Sequence, residues 1–123
     1  MEKIIEGSIG LLMDLIRTQS FSKEEDKTAQ IIDTYLQNHG VKTHRELNNV
    51  WAFNKYFDSS KPTILLNSHH DTVHPNRDYT RDPFNAEIID GKLFGLGSND
   101  AGGCLVSLIG TFLHYYDKQD LKY

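Results

Sequence analysis

Apolar positions recur with a helical period near both ends of the chain and in short dense runs between them. Ile5, Ile9, Leu12 and Ile16 are spaced by four, three and four residues, which predicts an amphipathic helix over residues 4–17. A second helix is predicted over 23–39, with Ile31, Ile32, Tyr35 and Leu36 on its buried face. Ser22 followed by Glu25 has the form of a capping box at its start, and Gly40 supplies its stop. Short strands follow: a weak one over Val41–Leu47, a turn at Asn48-Asn49, and an aromatic-rich one over Val50–Phe57. Thr63–Asn67 is nearly all apolar, as in a strand buried on both faces. Residues 71–86 hold Pro75, Pro83 and many polar groups, and read as a long surface loop of the kind that often carries function. Asp90-Gly91, between Glu87–Ile89 and Lys92–Phe94, is a strong hairpin signal. After a passage containing Gly95, Gly97, Gly102 and Gly103, the stretch Cys104–Tyr116 is apolar on nearly all sides and predicts a buried helix.

This order predicts an α/β fold with a mixed sheet and flanking helices. The 123 residues suit one domain and show no repeat, low-complexity segment or linker. A helix apolar all round needs neighbours on both sides, and this chain offers few, so the domain is expected to be incomplete. A hydrophobic content of 38% is ordinary for a globular chain and too high for a disordered one. The net charge of −4 is shared evenly between the two halves, with no basic patch, which argues against a nucleic-acid partner. The longest uncharged run, Ala101–Tyr116, falls short of the ~18 apolar residues of a membrane span. Glu6 and Asp14 interrupt the N-terminal apolar residues, unlike a signal peptide. No membrane partner is expected. Cys104, the single cysteine, excludes an internal disulfide and a multi-cysteine zinc module, and suits a cytoplasmic, reducing setting.

Two segments are candidates for chemistry. In the first, an apolar strand runs into Ser68-His69-His70-Asp71. Ligands gather at the carboxyl ends of strands in α/β sheets. In extended backbone His69 and Asp71 share a face, and His70 points away. A carboxylate beside a metal-binding imidazole fixes its tautomer, and a solvated His–Asp pair is the plainer alternative. The second segment is Gly95–Gly103. It lacks the Lys-Ser/Thr of a P-loop and the glycine spacing of a dinucleotide fingerprint. Asp100 within it either caps the following helix or projects into the same cleft as His69. The remaining candidates read as structural. His39 and His44 are solvated near a turn, and His114 and Asp117 are a surface pair. Trp51, Phe53, Tyr56 and Phe57 are packing residues, Cys104 is a small buried hydrophobe, and Glu24, Glu25 and Asp26 suit a helix dipole.

Taken together, the two segments resemble the acetylornithine deacetylase / succinyl-diaminopimelate desuccinylase family of dinuclear zinc hydrolases, which also includes aminoacylases and carboxypeptidases. That family shows an apolar strand ending in Gly/Ser-His-x-Asp-Thr/Val-Val-Pro. Pro-Phe, an Asp-Gly-x-Leu-Tyr/Phe-Gly turn, and Gly-x-x-Asp-x-x-Gly opening a helix come next. Here Ser68-His69-His70-Asp71-Thr72-Val73, Pro83-Phe84, Asp90-Gly91-Lys92-Leu93-Phe94-Gly95 and Gly97-Ser98-Asn99-Asp100-Ala101-Gly102-Gly103 follow in the same order and spacing. The N-terminal helices and strands are similar to the start of the family's catalytic domain.

The resemblance implies a pair of Zn²⁺ ions, with Co²⁺ or Mn²⁺ as substitutes. It makes His69 a terminal ligand, Asp100 the bridging ligand and Asp71 the catalytic-site residue that orients His69. It also makes Asp100–Ala101 a candidate cis peptide bond. The implied activity is hydrolysis of the N-acyl amide of an amino acid, acetylornithine deacetylase-like, on a small N-acyl amino acid or peptide. A desuccinylase or dipeptidase of the same family is the alternative. His74 delays Pro75 by one residue, and Leu96 and Gly102 stand where the family often has Arg and Lys. The family's Glu pair, further acidic ligand and late His have no counterpart: no Glu follows Glu87, and after Asp100 come only Asp117, Asp120 and His114. The chain is therefore expected to be the N-terminal part of a larger hydrolase and inactive alone. An exposed sheet edge would favour homo-oligomers. A non-catalytic domain acting in assembly is the rival from another class.

Overall fold

The computed structural model describes residues Met1–Tyr123. Its elements are helix α1 (Glu2–Arg17), helix α2 (Asp26–Asn38), strands β1 (Thr43–Glu46), β2 (Asn49–Ala52), β3 (Glu87–Ile89) and β4 (Lys92–Phe94), and helix α3 (Cys104–Tyr115). A kinked turn, Ser98–Gly103, leads into α3. The class is α/β, as the order of elements predicts. The strands pair antiparallel, β1 with β2 and β3 with β4, and the parallel component is an isolated bridge between Phe21 and Thr72.

The core lies where α1 meets α2 and α3. The α1 stripe Ser8, Leu11, Leu12, Leu15 and Ile16 is buried, while Ile5 and Ile9, expected on the same face, are exposed. Two helices cover one stripe of α1, and its N-terminal flank is left uncovered. Thr28, Ala29, Ile32 and Leu36 form the buried face of α2, with Ile31 and Tyr35 half-buried. Helix α3 buries only Val106, Ile109 and Gly110, so its apolar circumference is covered on one side. Gly110 permits the close crossing with α1: a Cβ there would lie 2.9 Å from the Ser8 hydroxyl. Tyr116 ties the end of α3 to the first hairpin. Its hydroxyl donates to Gly40 O at 3.2 Å, and its carbonyl accepts from Lys55 N at 2.9 Å.

Turn chemistry accounts for both hairpins. Asp90 and Gly91 have φ of 49° and 75°, the pair of left-handed residues that a tight hairpin turn requires. The first hairpin turns at Leu47-Asn48, one residue earlier than the sequence suggests, because Glu46 pairs with Asn49. Thr63–Asn67 departs most from expectation. It has no ladder partner, and Leu65 is 83% exposed. Its composition suits a central strand, but a central strand needs neighbours on both edges, and here the other strands pair within their own hairpins.

Candidate functional site

The segment His69–Thr72 is seated by side chains and by the α1–α2 connection. Thr72 N donates to Ser20 O at 2.8 Å, and the buried Ser20 hydroxyl donates to His70 O at 3.0 Å. The side chains alternate as extended backbone dictates. His70 turns inward, with Nδ1 2.9 Å from the hydroxyl of the fully buried Thr28 and Nε2 3.0 Å from Asn48 O. His69 and Asp71 turn to the other side, where His69 Nδ1 lies 3.1 Å from Asp71 Oδ1 and 3.2 Å from Asp71 O.

Asp100 arrives from the kinked turn. Its carboxylate makes no capping bond to α3 and instead lies with Oδ1 3.2 Å from His69 Nε2. Of the two readings the sequence leaves open, the structure takes the one that turns Asp100 toward His69. The Asp100–Ala101 peptide bond is cis. Glycines let the turn press against its surroundings. Gly97 has φ of 77°, and a Cβ on it would meet the Thr72 methyl at 2.7 Å. A Cβ on Gly102 would meet Gly97 O at 2.6 Å. The result is an open cleft of about 260 Å³ lined by His69, Asp71, Tyr79, Asn99 and Asp100, among others.

The electrostatics follow from these contacts. Burial alone would lower the His69 pKa, but the Asp71 carbonyl and carboxylate and the Asp100 carboxylate outweigh it and raise the pKa. The Ser22 hydroxyl, bonded to Asp71 Oδ2, is the main influence holding that carboxyl below its usual range, with His69 assisting against burial. Protonated His69 donates to both carboxylates. The neutral ring has one proton for the two carboxylates; with that proton on Nδ1 toward Asp71, Nε2 is free to ligate a metal beside Asp100.

A nitrogen and a carboxylate oxygen are suitable donors for Zn²⁺. Their 3.2 Å separation is close to the roughly 3.3 Å edge between ligands of a tetrahedral ion bonded at about 2.0 Å. A carboxylate behind Nδ1 completes the usual outer arrangement of a ligating imidazole. The donor set fits the metal in kind. No cluster of three or more His, Cys, Asp or Glu side chains is assembled to hold an ion.

Several other expectations are corrected. Ser22 does not cap α2, which begins at Asp26 without a side-chain cap, and its hydroxyl goes to Asp71. Cys104 is exposed, since the core-facing side of α3 is carried by Val106, Ile109 and Gly110. Trp51, Phe53, Tyr56 and Phe57 are exposed and pack chiefly on their neighbours, with Phe53 and Phe57 centroids 4.6 Å apart and His44 stacked on Trp51. His39 and His44 are exposed, as expected; His39 bonds Tyr35 O at 2.8 Å and His114 lies edge-on to Tyr115, outside the cleft lining. Tyr79 also lines the cleft, and its only signal in the sequence is an aromatic in an otherwise polar loop.

Residues 65–122 match peptidase family M20/M25/M40. The chain is 31% identical over 116 residues to a succinyl-diaminopimelate desuccinylase of Rickettsia felis, covering 87% of this chain and 30% of that protein. It is 34% identical over 101 residues to succinyl-diaminopimelate desuccinylase 2 of a Ruegeria species, covering 75% of this chain and 25% of that protein. The chain thus spans less than a third of the length of these relatives. No helix is long and apolar enough to cross a membrane. The region that matches peptidase family M20/M25/M40 contains His69, Asp71, the cleft and Asp100.

Proposed function

We propose that this chain is part of the catalytic domain of a metal-dependent hydrolase that cleaves the N-acyl amide of an amino acid, and that activity resides in a longer protein. The observation that carries the reading is the alignment of Asp71, His69 and Asp100 in one line of contacts at 3.1 and 3.2 Å on the wall of an open cleft. His69 Nε2 and Asp100 would hold Zn²⁺, with Co²⁺ or Mn²⁺ as substitutes. Zn²⁺ held there would polarise the acyl carbonyl and acidify water. Asp71 keeps the His69 proton on Nδ1 and fixes the plane of the ring. Tyr79 and Asn99 line the space beside these groups, where a small acylated amino acid or peptide would lie. A general base and further ligands come from outside these residues, since catalytic zinc usually takes three protein ligands.

The acyl group is acetyl or succinyl. The names of the relatives support succinyl. The cleft lining contains no Lys or Arg, and Leu96 stands within it, so a succinyl carboxylate would need a cation from another part of the protein. A lone exposed cysteine suits the cytoplasm. The exposed run Ile64, Leu65 and Leu66 supports self-association as a second role. The test is turnover of N-succinyl-diaminopimelate and N-acetylornithine by the full-length protein with Zn²⁺. His69→Ala and Asp100→Ala are each expected to abolish it. Near-normal turnover in either variant would sink the assignment.

A further inference from the structure

We infer that Ser22 is a positioning residue for His69, acting through Asp71; this rests on the reading of His69 as a metal ligand. The two carboxylate oxygens of Asp71 have different partners. Oδ1 faces His69 Nδ1 at 3.1 Å, and Oδ2 accepts the Ser22 hydroxyl. An ionised carboxylate is acceptor-only, so Ser22 is the donor. Pinned at Oδ2, the carboxylate cannot swing about its terminal torsion, and it offers Oδ1 to the imidazole in one orientation.

The loop bearing Ser22 is anchored to the same segment. Ser20 accepts from Thr72 N and donates to His70 O, and Phe21 and Thr72 form the isolated parallel bridge. On the inner side, Thr28 and Asn48 hold the His70 ring. The α1–α2 connection thus anchors residues 70–72, just beyond the unpaired run 63–67. Ser22 is free for this work because α2 starts at Asp26 and leaves its hydroxyl without a capping partner.

The test compares Ser22→Ala, Ser22→Thr and Ser22→Val in the full-length protein, with Ser60→Ala as a control in a distant exposed loop. The Zn²⁺ dissociation constant is read by competition with a chromophoric chelator, alongside kcat and KM. Ser22→Ala should weaken Zn²⁺ binding about ten-fold, the low end for removing an outer partner of a ligating imidazole. Ser22→Thr should restore binding. At limiting Zn²⁺ kcat should fall with KM unchanged, and excess Zn²⁺ should recover it, which a general loss of stability would not produce. If Ser22→Ala fails to fold, the isosteric Thr and Val variants carry the same comparison. Wild-type Zn²⁺ affinity in Ser22→Ala or Ser22→Val, with His69→Ala abolishing binding, overturns this inference alone. Unchanged Zn²⁺ binding in His69→Ala overturns the underlying reading as well.

Discussion

Replacing Thr28 by the isosteric Val tests how the site segment is held from within. The Thr28 hydroxyl lies 3.0 Å from Glu25 O and 2.9 Å from His70 Nδ1, and its residue is fully buried. Its single proton can serve only one of them. Glu25 O already accepts from Ala29 N at 2.9 Å and stays satisfied. His70 Nε2 faces the Asn48 carbonyl, which only accepts, so Nε2 carries the proton of the neutral ring and Nδ1 is the acceptor. Valine would put a methyl group against that acceptor. A buried acceptor left without its donor costs about 1–3 kcal/mol, and the half-buried ring favours the lower part of that range. For a chain of this size each kcal/mol moves the melting midpoint by roughly 3–6 °C. Urea unfolding followed by circular dichroism should show a lower midpoint with unchanged slope. A double-mutant cycle with His70→Ala should return a coupling of about 1 kcal/mol. An unaltered midpoint, or zero coupling, would refute the claim that Thr28 holds the ring.

Gly110→Ala should destabilise the chain by about 1–3 kcal/mol, because its Cβ would meet the Ser8 hydroxyl at 2.9 Å and Ile4 at 3.3 Å; an unchanged thermal melt would show that α1 and α3 can part freely. Asp58 has its carboxyl pulled below the usual range by the Ser60 hydroxyl and amide, so this turn should be favoured above the ordinary carboxylate pKa and released as pH falls through the lowered one. Ser60→Ala should raise the Asp58 midpoint in a carbon-13 NMR titration, and an unmoved midpoint would refute that account. The raised pKa of His69 has the opposite sign. In metal-free protein its contribution to stability should be full below the ordinary histidine value and disappear as pH rises through the raised one. Wild type and His69→Ala should therefore converge in melting temperature on the alkaline side, and a constant difference across that range would contradict it.

What was legible in the sequence was local. The periods of α1 and α2, the Gly40 stop and the Asp90-Gly91 hairpin depend on residues within a turn or two of each other, and all appear in the structure. The shared face of His69 and Asp71 follows from strand alternation alone. The approach of Asp100 to His69 crosses 31 positions, a distance over which periodicity carries no information and only the resemblance does. Pairing and covering were the illegible part. Thr63–Asn67 has a strand's composition without a partner, and α3 is apolar all round yet covered on one side. Ser22 misled for a related reason. Its spacing to Glu25 satisfies a local motif, while a carboxylate 49 residues away takes the hydroxyl.

The seating of the His69–Thr72 segment also has an order in time. The bonds from Ser20 and Thr28 that hold it span 42 to 52 residues. During synthesis the clamp leaves the ribosome first and the segment it grips follows. At roughly 5–20 residues per second, that gap is on the order of 2–10 seconds. For that interval the Thr28 hydroxyl has the Glu25 carbonyl of its own helix turn as partner and the Ser20 hydroxyl has water, so both halves of the clamp are synthesised before the histidine they seat.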